Sequence, residues 1–184
     1  MFKSARLGGM STEATPTAPA LSGAQLEAWT ALVALLATLP TALDNQLKRD
    51  AGMNMYEYHV LAALSAAPGQ VLPMTDLALS AQGSASRLSH AVTRLERAGW
   101  VERVSCTEAG RRTSAALTAA GAAHLRTVAD GHLREVRRLV VDTLTPEQLA
   151  QLGDAARAIV GATDPEIAAG LSAAPCAGPA EPLC

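Results

Sequence analysis

The sequence predicts a mainly α-helical protein with a small β-hairpin wing, a winged helix-turn-helix domain flanked by dimerisation helices. Three observations carry that expectation. A helix-length segment after Gly83 separates apolar from basic residues. Two short alternating segments flank a charged tip at residues 106–112. Apolar residues at helical spacing lie on either side of this unit, before residue 50 and after residue 118. The order helix, turn, helix, hairpin belongs to domains that set one helix into a DNA groove and reach beside it with a loop.

Residues 1–22 are rich in Ala, Pro, Thr, Ser and Gly without periodicity, and a mobile tail is expected there. Over 23–50 an N-terminal dimerisation helix is expected. Leu26, Trp29, Leu32, Val33, Leu36, Leu39, Leu43 and Leu47 recur at its spacing, and Pro40 should kink it by removing the N–H that would bond Leu36. The winged domain takes 51–118. It opens with a helix from about Met55 to Ala66 that stops before Pro68-Gly69. Met74, Leu77 and Ala78 give a short helix, broken at Gln82-Gly83. Ser84 or Ser86 then caps the next helix, and Gly99 ends it in the position suited to φ > 0.

Trp100 to Val104 alternates like a strand, as Thr113 to Thr118 does more weakly, with a polar tip from Cys106 to Arg112 between them. C-terminal dimerisation helices are expected over 119–163. The first carries Leu125, Val128, Leu133, Val136, Leu139 and Val140. The second begins at Thr145-Pro146-Glu147-Gln148, which combines a capping box with Pro at the first helical position. These helices and the first carry more apolar surface than a small winged domain can cover, so burial between two chains is expected. Residues 164–184 read as a second mobile tail.

Of the 184 residues, 49% are hydrophobic but only 3% aromatic, which favours helices packed through small side chains. The net charge of −2 would argue against nucleic acid, yet its distribution reverses the argument. Residues 73–118 hold six positive and four negative side chains, while the remainder holds nine and thirteen. No stretch reads as the ~20 apolar residues that span a bilayer, and Lys3 and Arg6 have no apolar segment behind them to make a signal peptide. Three cysteines, Cys106, Cys176 and Cys184, do not make a disulfide framework, so a reducing cytoplasm is expected.

Along the second helix of the turn, Ala85, Leu88, Val92 and Leu95 fall on one side, and Ser86, Arg87, His90, Thr93, Arg94 and Arg97 on the other. The polar side supplies donors suited to phosphates and base edges. The DNA-contacting set is therefore Ser84, Ser86, Arg87, His90, Thr93, Arg94 and Arg97, with Arg111 and Arg112 from the wing. A solvated surface would explain one basic helix. The turn and the wing arginines together favour double-stranded DNA, with an inverted repeat if the protein is dimeric.

SRLSHAVTRLERAGWVER resembles the recognition helix and first wing strand of the MarR (multiple antibiotic resistance regulator) family. ALTAAG, residues 116–121, is similar to that family's step from the second wing strand into a long helix. The likeness extends from about Gln25 to Val160. It implies a homodimeric transcriptional regulator on pseudo-palindromic DNA, here expected to be a repressor, released by a small phenolic or lipophilic ligand. It also implies an effector cleft where the dimer helices meet the winged domain, with Trp29, Tyr56, Tyr58 and His59 as its expected lining. One departure stands out. Arg111 matches the family's wing arginine, but Ala109 occupies the place of the Asp that orients it, with Glu108 one residue away.

The remaining chemistry is sparse. His59, His90, His124 and His132 lack the paired spacing of a zinc site, and neither a metal nor a cofactor is expected. Cys106 beside the wing offers an alternative switch, a redox-controlled regulator in which oxidation displaces the hairpin. No nucleophile constellation, phosphate loop or paired-carboxylate pocket supports an enzyme.

Overall fold

The computed structural model describes residues 19–106 and 112–173. The chain divides into two compact units between Leu36 and Ala37. Helix α1 (Gly23–Ala51) is continuous through this division with Pro40 inside it. In the first unit Leu26, Trp29, Val33 and Leu36 stand exposed, Leu36 to 62%.

By length and composition α1 could cross a membrane, with a mean hydropathy of 1.5 in an 18-residue window. This corrects the expectation that no stretch reaches that limit. Alanine fills much of the helix and counts as apolar while adding little hydrophobic surface.

The second unit begins with the C-terminal turns of α1, where Gln46 and Leu47 are buried. Helix α2 (Met55–Ala66) starts with a capping box: Asn54 Oδ1 accepts from the Glu57 N–H at 2.9 Å, and Glu57 Oε2 accepts from the Asn54 N–H at 2.9 Å. This helix is central, packing against α3 (Met74–Ser80), α4 (Ala85–Arg97), α5 (Ala119–Leu139) and the strand β3 (Arg112–Leu117). Leu61, Leu64, Leu77, Leu88 and Leu95 are fully buried around it. Each contributes about 1.5–3 kcal/mol, against about 0–1 kcal/mol for a surface ion pair, so the apolar core dominates.

The sheet has three antiparallel strands in the order β1-β3-β2, with β1 at Val71–Pro73 and β2 at Val101–Cys106. The sequence pattern gives only the hairpin. Three residues are too few for an alternation to register, and Pro73 closes β1 at a strand end where its missing N–H does no harm. The wing strands pair as far as Cys106 with Arg112. Cys106 is thus a strand residue and not part of the tip, and the wing tip with Arg111, Glu108 and Ala109 lies outside the described residues.

Helix α5 contributes Gly121, Leu125 and Val128 to the core, while Leu133 further along is exposed. A 3-10 turn at Val141–Thr143 leads to α6 (Pro146–Thr163), which starts at the expected capping box and buries none of its residues. The expected tail is helical over α7 (Pro165–Ala173). Asp164 Oδ1 accepts from the Ile167 N–H at 3.1 Å, and the Ala-rich sequence has high helix propensity without any apolar period to announce it.

The wing base meets α5 without slack. Thr118 caps α5 by accepting from the Gly121 N–H at 3.0 Å, and its hydroxyl donates to the Gly99 carbonyl at 2.7 Å. Gly99 has φ +75, which closes the turn after α4. A Cβ at Gly121 would overlap the Trp100 carbonyl oxygen. Gly121→Ala should therefore destabilise the fold by about 1–3 kcal/mol through overpacking. Chemical denaturation reads this directly, and an unchanged midpoint would mean that the wing base gives way easily.

Candidate nucleic-acid interface

Helix α4 divides as its sequence requires. Leu88, Ala91, Val92 and Leu95 are buried, and Ser84, Ser86, Arg87, His90, Arg94 and Arg97 are exposed. Ala85 lies outside the core and Ala91 takes the place expected for it, because the first helical residue projects past the packed surface. Ser84 is the capping residue and accepts from the Arg87 N–H at 3.2 Å. Its hydroxyl thus completes the helix N-terminus, where unpaired N–H groups and the helix dipole favour a phosphate.

Two of the arginines are held from below by α2. The Arg87 guanidinium lies 4.2 Å from the centre of the Tyr56 ring, a cation–π distance. Arg94 Nε lies 2.9 Å from Glu57 Oε1, an ion pair in which the Arg94 side chain is 61% exposed and that of Glu57 only 3%. Without hydrogen-bond geometry to any protein donor, Oε1 is held by charge alone. Asp44, Asn54, Tyr56, Glu57, Arg87 and His90 line a cleft of about 400 Å³ beside these contacts. Hydrogen bonds from Lys48 and the Met55 N–H, and the charge of Arg87, draw the Asp44 carboxyl below its ordinary range.

Thr93 has a different role from the one expected. Its hydroxyl donates to the Ser89 carbonyl at 2.9 Å and accepts from Arg103 Nη2 at 3.1 Å. Arg103, on β2, also donates to the Ser89 carbonyl and pairs with Glu96. The strand arginine therefore ties the wing to the inner edge of α4, and Thr93 is part of that brace. Of the wing arginines, Arg112 is the strand residue opposite Cys106, with its side chain outside the described residues, and Arg111 is wholly outside them.

Tyr56 and Tyr58, both expected to line an effector cleft, lie in different surroundings. Tyr56 is buried against the turn: a Cβ at Gly83 would overlap its ring and hydroxyl. Tyr58 turns to α5, with its ring 4.6 Å from that of His132, and lines a separate cleft of about 160 Å³ with Ala62, Ser65, Leu125, Arg126 and Ala129. His59 is exposed, 6.2 Å from Tyr58. Trp29 is 55% exposed and belongs to the first unit. Side chains two positions apart on a helix cannot face the same way, which separates Tyr56 from Tyr58.

His132 Nδ1 donates to Gln46 Oε1 at 3.1 Å, and Gln46 Nε2 donates to Asp50 Oδ2 at 3.0 Å, joining α5 to the end of α1. Burial, reinforced by His59, lowers the His132 pKa.

Sequence reasoning missed Glu57 and Arg103. The Asn54-x-x-Glu57 pattern is a capping-box signature and could have placed Glu57 at the start of α2. Its second role, toward Arg94, depends on packing between distant segments.

The Tyr56 hydroxyl is buried without a hydrogen-bond partner. Removing it in Tyr56→Phe leaves the ring beneath Arg87 and against Gly83, and removes the cost of an unpaired polar group, about 1–3 kcal/mol. The variant should melt at the same or higher temperature and bind nucleic acid as the parent does. A lower melting temperature would show that the hydroxyl has a partner in solution.

A MarR family sequence model matches residues 51–112. No curated protein sequence matches the chain. Among solved structures, the chain is similar to Sco3205, a MarR family transcriptional regulator from Streptomyces coelicolor solved in complex with DNA. The identity is 41% over 78% of this chain and 94% of that one, with a TM-score of 0.75. It is similar also to AbsC, a MarR family transcriptional regulator from the same organism, at 34% identity over 79% and 97%, with a TM-score of 0.74. The apo MarR of E. coli shares the fold at 18% identity and a TM-score of 0.59. On the match to Sco3205 over nearly its whole length, together with the winged geometry, the chain belongs to the MarR family, whose members are transcription regulators and not enzymes.

Proposed function

We propose that the protein is a dimeric, sequence-specific DNA-binding transcriptional repressor of the cytoplasm, released from its operator by a small aromatic ligand. The observation that carries the reading is the outer face of α4. Arg87, His90, Arg94 and Arg97 stand exposed there in a row, with no apolar residue among them, on a helix anchored by four buried side chains. A helix of this kind enters a major groove with its N-terminal part toward the bases, and the capped N-terminus at Ser84 suits a flanking phosphate. Sco3205, solved with DNA, supports the same use of the fold. A dimer seated on a promoter excludes polymerase, which is why repression is preferred.

Dimerisation follows from apolar surface. Leu26, Trp29, Val33 and Leu36 on α1, Leu133 on α5, and Leu152 and Ile159 on α6 are all exposed. Scattered apolar residues are ordinary, but rows of them at helical spacing are covered in a working protein. A second copy is preferred to a bilayer for α1, because α6 offers a matching unburied helix in the same chain.

The effector is assigned to the cleft between α2 and α5. Tyr58, Ser65 and Arg126 provide polar contacts, and Ala62, Leu125 and Ala129 an apolar wall, suited to a phenol or aromatic acid.

DNA selected from random sequence by the protein should contain an inverted repeat with half-site centres about 10–11 base pairs apart. Against that operator, Arg94→Ala should cost about 1–3 kcal/mol and relax one position if it reads a base, or reduce the salt slope by about 1 if it holds a phosphate. Gel shifts unchanged in Arg87→Ala, His90→Ala and Arg94→Ala would remove α4 as the reading helix. For the dimer, Leu36→Glu should place an unpaired charge in the contact and dissociate it. Sedimentation of an intact dimer would move the contact away from this part of α1.

A further inference from the structure

Arg87 and Arg94 lie seven residues apart, two turns of α4, so both project from one face. The groups that hold them are neighbours on α2: the Tyr56 ring under Arg87 and the Glu57 carboxylate at Arg94. Glu57 is nearly fully buried, and its two oxygens have separate duties. Oε2 accepts the Asn54 N–H and closes the capping box, while Oε1 lies 2.9 Å from Arg94 Nε. A buried carboxylate left without a countercharge is costly, so Arg94 is drawn to it in the free protein. The closest approach to Glu57 is made through Nε, and the Nη pair forms the other edge of the guanidinium. That edge matches the two acceptors of a guanine or two phosphate oxygens.

We propose that Glu57 is a specificity-determining positioning residue, which presets the Arg94 guanidinium on the recognition helix before DNA arrives. The inference rests on the reading of α4 as the DNA-contacting helix. A free arginine samples many rotamers and loses that freedom on binding, whereas a preset one has already lost it. The same carboxylate offsets the positive charge of Arg94 toward any phosphate backbone. Glu57 therefore favours the one sequence that suits the fixed head and disfavours DNA in general. Both effects raise the ratio of operator to non-operator affinity, the quantity that matters among many competing sites.

Glu57→Gln tests this without removing the cap, since the amide oxygen can still accept the Asn54 N–H. The melting temperature serves as the control and should remain close to that of the parent. Binding is measured by fluorescence anisotropy on the selected operator and on a scrambled duplex, across a salt series. The expected result is a fall of about tenfold in the operator-to-scrambled ratio, the size of one weakened base contact, with scrambled binding unchanged or tighter. In an Arg94→Ala background the Glu57→Gln substitution should produce no further fall. A ratio unchanged in Glu57→Gln while Arg94→Ala lowers it would overturn the positioning role and leave the DNA reading intact. A full additional fall in the double variant would also overturn it, by showing that Glu57 acts through something other than Arg94. If Arg94→Ala alone leaves operator binding unchanged, this inference fails, because Glu57 then positions no DNA-contacting group; the assignment of α4 fails with it only if Arg87→Ala and His90→Ala are silent as well.

Discussion

The close approach of Tyr56 to Gly83 fixes how α4 leaves its turn. No side chain fits at residue 83, because the Tyr56 ring occupies the space where a Cβ would stand. Gln82 before it takes φ +54, a left-handed conformation that a non-glycine residue adopts only when its surroundings hold it. The turn is therefore pressed onto α2, and α4 follows in a direction that α2 sets. Everything exposed on α4 inherits that direction: Arg87 rests over the ring of the same tyrosine, and the next residue of α2 holds Arg94. The wing is tied to α4 in turn, through Arg103 to Ser89, Thr93 and Glu96. One buried helix thus supports both parts of the proposed DNA-contacting surface.

The net charge of −2 is consistent with such a surface because the acids near α4 are largely spent. Glu57 closes a helix cap and faces Arg94, Glu96 holds Arg103, and Asp44 is engaged by Lys48 and the Met55 N–H. These carboxylates orient cations more than they cancel them. Long-range attraction to DNA depends on the sum of charge, whereas docking depends on where each guanidinium points. A protein with no net positive charge gains less from non-specific phosphate attraction, so its selectivity leans on geometry.

The sequence was informative wherever structure is local. The capping box at Thr145, the break at Gln82-Gly83, the stop at Gly99 and the α2 boundaries follow from short patterns with a known physical cause. Strand β1 was not legible because three residues carry no period, and its pairing with β3 brings together segments far apart in the chain. Helix α7 was hidden by composition, since alanine favours a helix and also fills loops. The site was half legible. Periodicity sorts the outward residues of α4 from the inward ones, but gives no means to see that Thr93 is taken by a strand arginine. Nor does it reveal that Tyr56 and Tyr58, two positions apart, serve α4 and α5 separately. Those assignments depend on which helices meet, and that is settled by packing of the whole core.

Because they share α2, the arginine supports and the proposed effector cleft cannot respond independently. Tyr56 and Glu57 face α4, while Tyr58, Ala62 and Ser65 line the cleft toward α5. A packed helix moves as a rigid body, by translation or rotation of an ångström or two, rather than bending residue by residue. A ligand that wedges α2 away from α5 must carry Tyr56 and Glu57 with it and so change the ground on which Arg87 and Arg94 rest. Such a ligand alters DNA affinity only to the extent that it binds the two positions of α2 unequally, and DNA must then alter ligand affinity by the same factor. The link between ligand and operator would accordingly pass through one helix inside each winged domain, in addition to any change in the spacing of two domains across a dimer.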